Sequence, residues 1–272
     1  MKFLIIILAI FFVVACAGIK ARSGEAYSLI QNVVYKTIDS QPLAGDMYSP
    51  ESTGLRPAVV VVHGGGWTNR SGDMAGISKR LAKGGFVVFN ITYRLAPQDR
   101  HPAQVEDVSA ALEWLYTNAE KYQIDPKRIS GWGYSAGAHL ILLAGLDRQR
   151  PPYLNSIVAG GTPADLTAWP NSPLVLKLIG KPLVDARAEW QEASPVNHVT
   201  RQSPPVFLYH GQWDALVEPE QMAMMKAALD AKGVLATTYT VKFLGHIATY
   251  ALASEAEQRG VQFISEQSKE EF

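Results

Sequence analysis

The chain has 272 residues, and its 25 lysines plus arginines balance 25 aspartates plus glutamates, so no global field draws it to nucleic acid or to an anionic membrane. The single cysteine, Cys16, excludes an intrachain disulfide. No Cys/His cluster with zinc spacing occurs, so neither a metal nor another cofactor is implied.

Met1-Lys2 leads into an apolar run, Phe3 to Val14, too short to cross a bilayer comfortably, which is the form of a secretory leader. It ends in Val13-Val14-Ala15-Cys16, which resembles the bacterial lipobox, where the cysteine is lipidated and begins the mature chain. Residues 1–16 thus read as leader and lipobox of an envelope lipoprotein whose membrane contact is a lipid on Cys16. Cleavage near Ala15 or Ala17 with free secretion, and retention as an anchor, are the competing readings. Beyond the leader about 255 residues remain, enough for one domain with a single core, read as a linker over 17–30 and an α/β domain over 31–272.

Strands are predicted at 32–38 and 43–48, antiparallel because their link is short. The apolar run 57–62 is a buried strand that ends in His63-Gly64-Gly65-Gly66-Trp67. A glycine-rich turn is one reading of that loop; a phosphate cradle would need Gly-Lys-Ser/Thr, which is absent. The other reading is an anion-stabilising loop, since glycines let backbone N–H groups approach a developing alkoxide. Gly65, Gly66 and Ala136 are its candidate donors.

A helix over 72–83, a strand over 86–92 and a helix over 103–122 follow, the last with Val105, Val108, Leu112 and Leu115 at three-to-four spacing. The strand at 128–134 enters Gly133-Tyr134-Ser135-Ala136-Gly137, and a helix at 136–146 leaves it. A serine on a sharp strand-to-helix turn is exposed at the sheet's carboxyl edge and at a helix's positive end, which suits a nucleophile.

Past a strand at 155–160 comes Asp165, and then a stretch without a clear strand, 166–202, carrying Trp169, Pro170, Pro173, Pro182, Trp190 and Pro195. It reads either as a lid or acyl-pocket insertion, with a short helix over 173–179, or as surface helices packed on the sheet. Strands at 204–210 and 237–243 and helices at 219–232 and 254–266 complete the domain. The alternation predicts a mostly parallel eight-stranded sheet flanked by helices.

A nucleophilic serine needs a base, and the base an acid. With this serine motif the chain order is serine, acid, histidine, which leaves His198, His210 and His246 of the six histidines. Asp214 falls just past a strand end and His246 is the only histidine after it. Asp165 is the rival acid, with Glu218 third; His139, His198 and His210 read as structural.

Together these residues resemble the α/β-hydrolase superfamily in its esterase/lipase branch, over nearly all of the chain after about residue 30. Thr92-Tyr93-Arg94-Leu95-Ala96-Pro97, His101-Pro102-Ala103 and Val105-Glu106-Asp107-Val108 are similar to the Tyr-Arg-x-x-Pro and Pro-Ala-x-x-x-Asp blocks of hormone-sensitive-lipase-like carboxylesterases. That likeness implies that Arg94 and Asp107 brace loops near the site. Gly-x-Ser-Ala-Gly-Ala-His also resembles small feruloyl-esterase-like and arylformamidase-like members. Tyr134 departs from the hormone-sensitive-lipase branch, where aspartate is common, and too few residues precede the first strand for that branch's cap. The expected activity is hydrolysis of a small-molecule carboxylic ester, short-chain or aryl, through an acyl-enzyme, with Ser135 as nucleophile, His246 as base and Asp214 orienting it. An amidase or arylformamidase with the same residues is the alternative. A surface-anchored binding module that has lost its chemistry is the reading from another class, and the completeness of the three residues argues against it.

Overall fold

A computed structural model describes residues 27–71, 73–146 and 154–269. The leader and the lipobox residue Cys16 lie outside the described residues, as does Gly72, where the first helix was expected to begin. Among the described residues no helix is long and apolar enough to cross a membrane.

Eight strands form one sheet: β1 (Tyr27–Ile38), β2 (Gln41–Pro50), β3 (Arg56–Val62), β4 (Val87–Ile91), β5 (Ile124–Tyr134), β6 (Ile157–Gly160), β7 (Val206–Gly211) and β8 (Ala236–Val241), in the spatial order β1-β2-β4-β3-β5-β6-β7-β8. The first two form a hairpin whose linking residues, Asp39 and Ser40, both have positive φ (46° and 64°), as a tight turn matched to strand twist requires. β2 also pairs antiparallel with β4, and every pairing from β4 through β3 to β8 is parallel.

A parallel sheet covered on both faces needs continuous apolar strands rather than alternating ones, and β3 supplies the run Ala58 to Val62, all fully buried. Val60 and Val62 join one core layer with Leu112 and Leu115 of α2 (Ala103–Thr117), Leu140 of α3 (Ala136–Leu146) and Met225 of α6 (Glu220–Ala231). Val59 and Val61 face the opposite layer with Leu81 of α1 (Ala75–Lys83) and Phe263 of α8 (Ser254–Gln267). Each such side chain contributes about 1.5–3 kcal/mol on burial.

Several boundaries differ from those expected. β1 begins at Tyr27, not near 32, because register shifts between Ile30 and Val33 and between Val34 and Lys36, with Asn32 at φ 57°, interrupt its alternation. α2 stops at Thr117, where the Asn118 side chain donates to the Trp114 carbonyl. The chain then turns into β5, which starts at Ile124 beside Arg56, four residues before the strand expected at 128. Residues 166–202 hold two short helices, α4 (Pro173–Ile179) and α5 (Arg187–Glu192), and 3₁₀ turns at Leu166–Ala168 and Pro195–His198. His246, expected in a loop, is the first residue of another helix, α7 (His246–Leu252), whose opening turn is closed by Thr249 N–H on the Gly245 carbonyl.

Candidate active site

Ser135 occupies the single-residue turn between β5 and α3, at φ 55°. Few non-glycine residues hold that conformation without support. Its amide donates to the Gly160 carbonyl of β6 at 2.8 Å. A Cβ on Gly133 would run into the Gly137 backbone, and one on Gly137 into the carbonyl oxygens of Val62 and His63. The two glycines of the frame thus let the turn fold on itself and seat against the end of β3.

From the β7–β8 side of the same carboxyl edge come Asp214, in the turn after β7, and His246, after β8. The two loops are joined by Trp213 N–H on the Leu244 carbonyl, 2.9 Å. His246 Nδ1 lies 2.6 Å from Asp214 Oδ2, and its Nε2 lies 2.8 Å from Ser135 Oγ. Asp214 Oδ1 accepts from the amides of Leu216 (3.0 Å) and Val217 (2.9 Å). Burial of this carboxyl favours the neutral acid, but the hydrogen bonds from His210, His246 and Val217 outweigh it and hold the group well below the usual carboxylate range. A carboxylate held in its ionised form at neutral pH fixes an imidazole with its proton on Nδ1 and its lone pair on Nε2 facing a hydroxyl, the arrangement that removes a proton as that hydroxyl attacks.

The glycine loop runs beside the serine: a Cβ on Gly64 would stand 3.4 Å from Ser135 Cβ. Gly65, Gly66 and Trp67 all have positive φ (112°, 56° and 60°), and the Gly65 carbonyl accepts from the amides of Thr68 and Asn69. α3 opens at Ala136, so that amide has no acceptor within its own helix. His63 stacks on Tyr93 with ring centroids 4.3 Å apart and donates from Nδ1 to the Gly64 carbonyl; burial lowers its pKa to about 4, so it stays neutral.

The other candidates lie elsewhere. Asp165 caps the 3₁₀ turn through Thr167, accepting from its amide and its hydroxyl. Glu218, exposed, accepts from Trp169 Nε1 at 2.8 Å. His198 binds the Glu192 carbonyl, and His139 is buried behind the serine. Two contacts of the site escaped the sequence reading. Tyr134 donates its hydroxyl to the His246 carbonyl at 2.6 Å and packs its ring 5.2 Å from the imidazole. His210 sets Nε2 at 2.7 Å from the Val217 carbonyl and 3.3 Å from Asp214 Oδ2. The available signal was positional: Tyr134 adjoins the serine, and His210 precedes Asp214 by four residues across a turn.

In the 166–202 stretch, Val175, Leu178 and Ile179 of α4 are buried in the core, while Leu174 reaches the glycine loop, 3.0 Å from where a Cβ on Gly66 would be. The Tyr93–Pro97 block supports the same loop, with Tyr93 Oη donating to the His63 carbonyl and Ala96 N–H to the Trp67 carbonyl. Arg94 anchors the block on the fully buried Asp107 carboxylate through Nε (2.8 Å) and Nη2 (2.9 Å), and Lys36 Nζ adds a third cationic contact at 2.7 Å. Removing the shared anion takes away its ion pair with Lys36 and leaves Arg94 with the more exposed carboxylates of Asp99 (3.5 Å) and Glu106 (3.1 Å). Asp107→Ala is expected to lower unfolding free energy by about 3 kcal/mol, measured by urea titration; an unchanged midpoint would contradict this brace.

The BD-FAE family model matches residues 46–229, which include the glycine loop, Ser135 and Asp214. The chain is 31% identical over 185 residues to the esterase LipC of Mycobacterium tuberculosis, covering 61% of this chain and 46% of LipC. It is 31% identical over 188 residues to the probable carboxylic ester hydrolase LipM of the same organism, covering 62% and 44%. The chain therefore spans about half the length of the curated relatives it matches. Among solved structures, a truncated form of a carbohydrate esterase from gut microbiota superposes with a TM-score of 0.79 at 26% identity, over 92% of this chain and all of that one. With the sheet order, the serine turn and the match over most of its domain in agreement, the chain has the α/β-hydrolase fold and belongs to the BD-FAE family.

Proposed function

We propose that this protein is a carboxylic ester hydrolase working through an acyl-enzyme. The observation that carries the reading is the unbroken hydrogen-bonded line from Asp214 through His246 to Ser135; the relatives named as esterases support it. Ser135 Oγ attacks the ester carbonyl as His246 Nε2 takes its proton, and the amides of Gly65, Gly66 and Ala136 hold the resulting oxyanion. His246 then protonates the leaving alcohol. Water, activated by the same imidazole, attacks the acyl-serine and releases the acid, returning the proton to Ser135.

The test is turnover of p-nitrophenyl esters from acetate to palmitate beside matched formanilides. Ester cleavage is expected to be faster, with a short-chain optimum, because Leu174 closes on the glycine loop and narrows the space beside Gly66. Faster formanilide cleavage would replace the ester assignment by an amidase.

A further inference from the structure

His139 is the one fully buried histidine on the serine's own helix, and every polar atom of its ring is used. Trp67 Nε1 donates to Nδ1 at 3.1 Å, and the Ala193 carbonyl lies 2.7 Å from Nε2. An indole N–H can only donate and a carbonyl can only accept, so these partners impose one neutral tautomer, with the proton on Nε2. Burial, the dominant influence, lowers the ring's pKa to about 3 and keeps it in that form. Both partners are buried, and the Trp67 and His139 rings meet edge to face at 5.0 Å.

The connections of this imidazole matter more than its burial. Its backbone N–H closes the first turn of α3 on the Ser135 carbonyl at 3.0 Å. Its Nδ1 holds the residue directly after Gly66, which sits at φ 60°, a conformation that persists in a bulky residue only where the surroundings impose it. Its Nε2 caps the end of α5, where the Ala193 carbonyl follows the last helical residue. One side chain thereby spans from the serine turn to the glycine loop and on to the 166–202 stretch.

We propose that His139 is a positioning residue that sets the glycine loop against Ser135 and Ala136, so that the Gly65, Gly66 and Ala136 amides converge on one oxyanion. This rests on the ester-hydrolase reading. Donors held rigidly act at no reorganisation cost during reaction, and a displacement on the order of 1 Å costs about 100-fold in rate.

The experiment uses the full chain with Trp67→Phe, which removes the indole N–H and keeps a ring, His139→Leu, which removes both ring contacts, and His139→Asn, whose amide oxygen reaches the place of Nδ1. Active sites are counted by the p-nitrophenol burst from paraoxon, so misfolded molecules drop out of the rate. Per titrated site, Trp67→Phe and His139→Leu are expected to lose about 10- to 100-fold in kcat on p-nitrophenyl acetate. KM should stay within about twofold, because the donors act on the transition state. His139→Asn should recover most of the loss, but not when combined with Trp67→Phe. The Ki of a trifluoromethyl ketone, whose adduct carries the same oxyanion, should rise in step with the loss in kcat. If His139→Leu does not fold, Trp67→Phe and the Asn pair carry the test. Wild-type kcat in Trp67→Phe, or His139→Asn no faster than a folded His139→Leu, would overturn the positioning role alone. A wild-type protein with neither burst nor turnover would remove the hydrolase reading and this inference with it.

Discussion

Ser135→Ala is expected to lower kcat on p-nitrophenyl acetate by about 10⁶-fold, the scale seen when a hydrolase of this chemistry loses its nucleophile. On the proposed mechanism this hydroxyl forms the acyl intermediate: it stands 2.8 Å from His246 Nε2 and beside Gly64. What survives is the small acceleration of binding and oxyanion donors acting on water. Alanine tolerates the backbone at φ 55° about as well as serine does, and the Ser135 amide keeps its bond to Gly160. The urea midpoint should therefore stay in place, which separates lost chemistry from lost fold. Mass spectrometry after paraoxon gives the complementary reading: a single adduct on Ser135 in the wild type and none in the variant. Residual turnover above one part in about a thousand, with contaminating esterase excluded, would mean another nucleophile.

Asp214→Asn is expected to cost about 10⁴-fold in kcat. The mechanism is tautomeric. Asparagine keeps its oxygen on the Leu216 and Val217 amides, which hold Oδ1 now, and so turns its NH₂ toward the ring nitrogens that now face Oδ2. His246 must then offer a lone pair at Nδ1 and carry its proton on Nε2, where it can no longer accept from Ser135. Stability responds as well, with a definite sign. Because the folded carboxyl is held below its ordinary value, its ionised form contributes stability above about pH 4 that is lost as the pH falls. The difference in unfolding free energy between wild type and Asp214→Asn should be constant at neutral pH and shrink below about pH 4. A difference that grew on acidification would contradict an ionised, hydrogen-bonded Asp214.

Much of this fold could be read from periodicity because parallel strands buried on both faces announce themselves as apolar runs; Ala58 to Val62 is such a run. The signal weakened where local rules compete with tertiary ones. β1 bulges and loses its alternation around Asn32. α7 has only seven residues and no side-chain cap, so nothing local marks His246 as a helix start. At the site, chain order led to Ser135, Asp214 and His246, and the structure brings those three side chains together. Order could not reveal their supports. Tyr134 meets the His246 carbonyl across 112 positions, and Trp67 meets His139 across 72, separations that only the completed sheet makes short. In the 166–202 stretch the composition carried no strand signal, and only the folded helix α4 shows that Leu174 stands at the glycine loop while Leu178 lies in the core.

The strand order has a consequence for how the work of the site is divided. β3 and β5 are neighbours, paired from Ala58 to Val62, and their ends carry the glycine loop and the serine turn. β7 and β8 are neighbours too, and their ends carry the acid and the histidine. Between the pairs lies β6, four residues long, whose Gly160 carbonyl accepts the Ser135 amide. On the proposed mechanism the carboxyl edge is thus a workbench with two stations, one that receives negative charge and one that moves protons, set two strands apart by a seam about 10 Å wide. The two stations meet at Ser135 Oγ on His246 Nε2 and at Tyr134 Oη on the His246 carbonyl, so a substitution that shifts the end of β5 against the end of β8 disturbs both contacts at once.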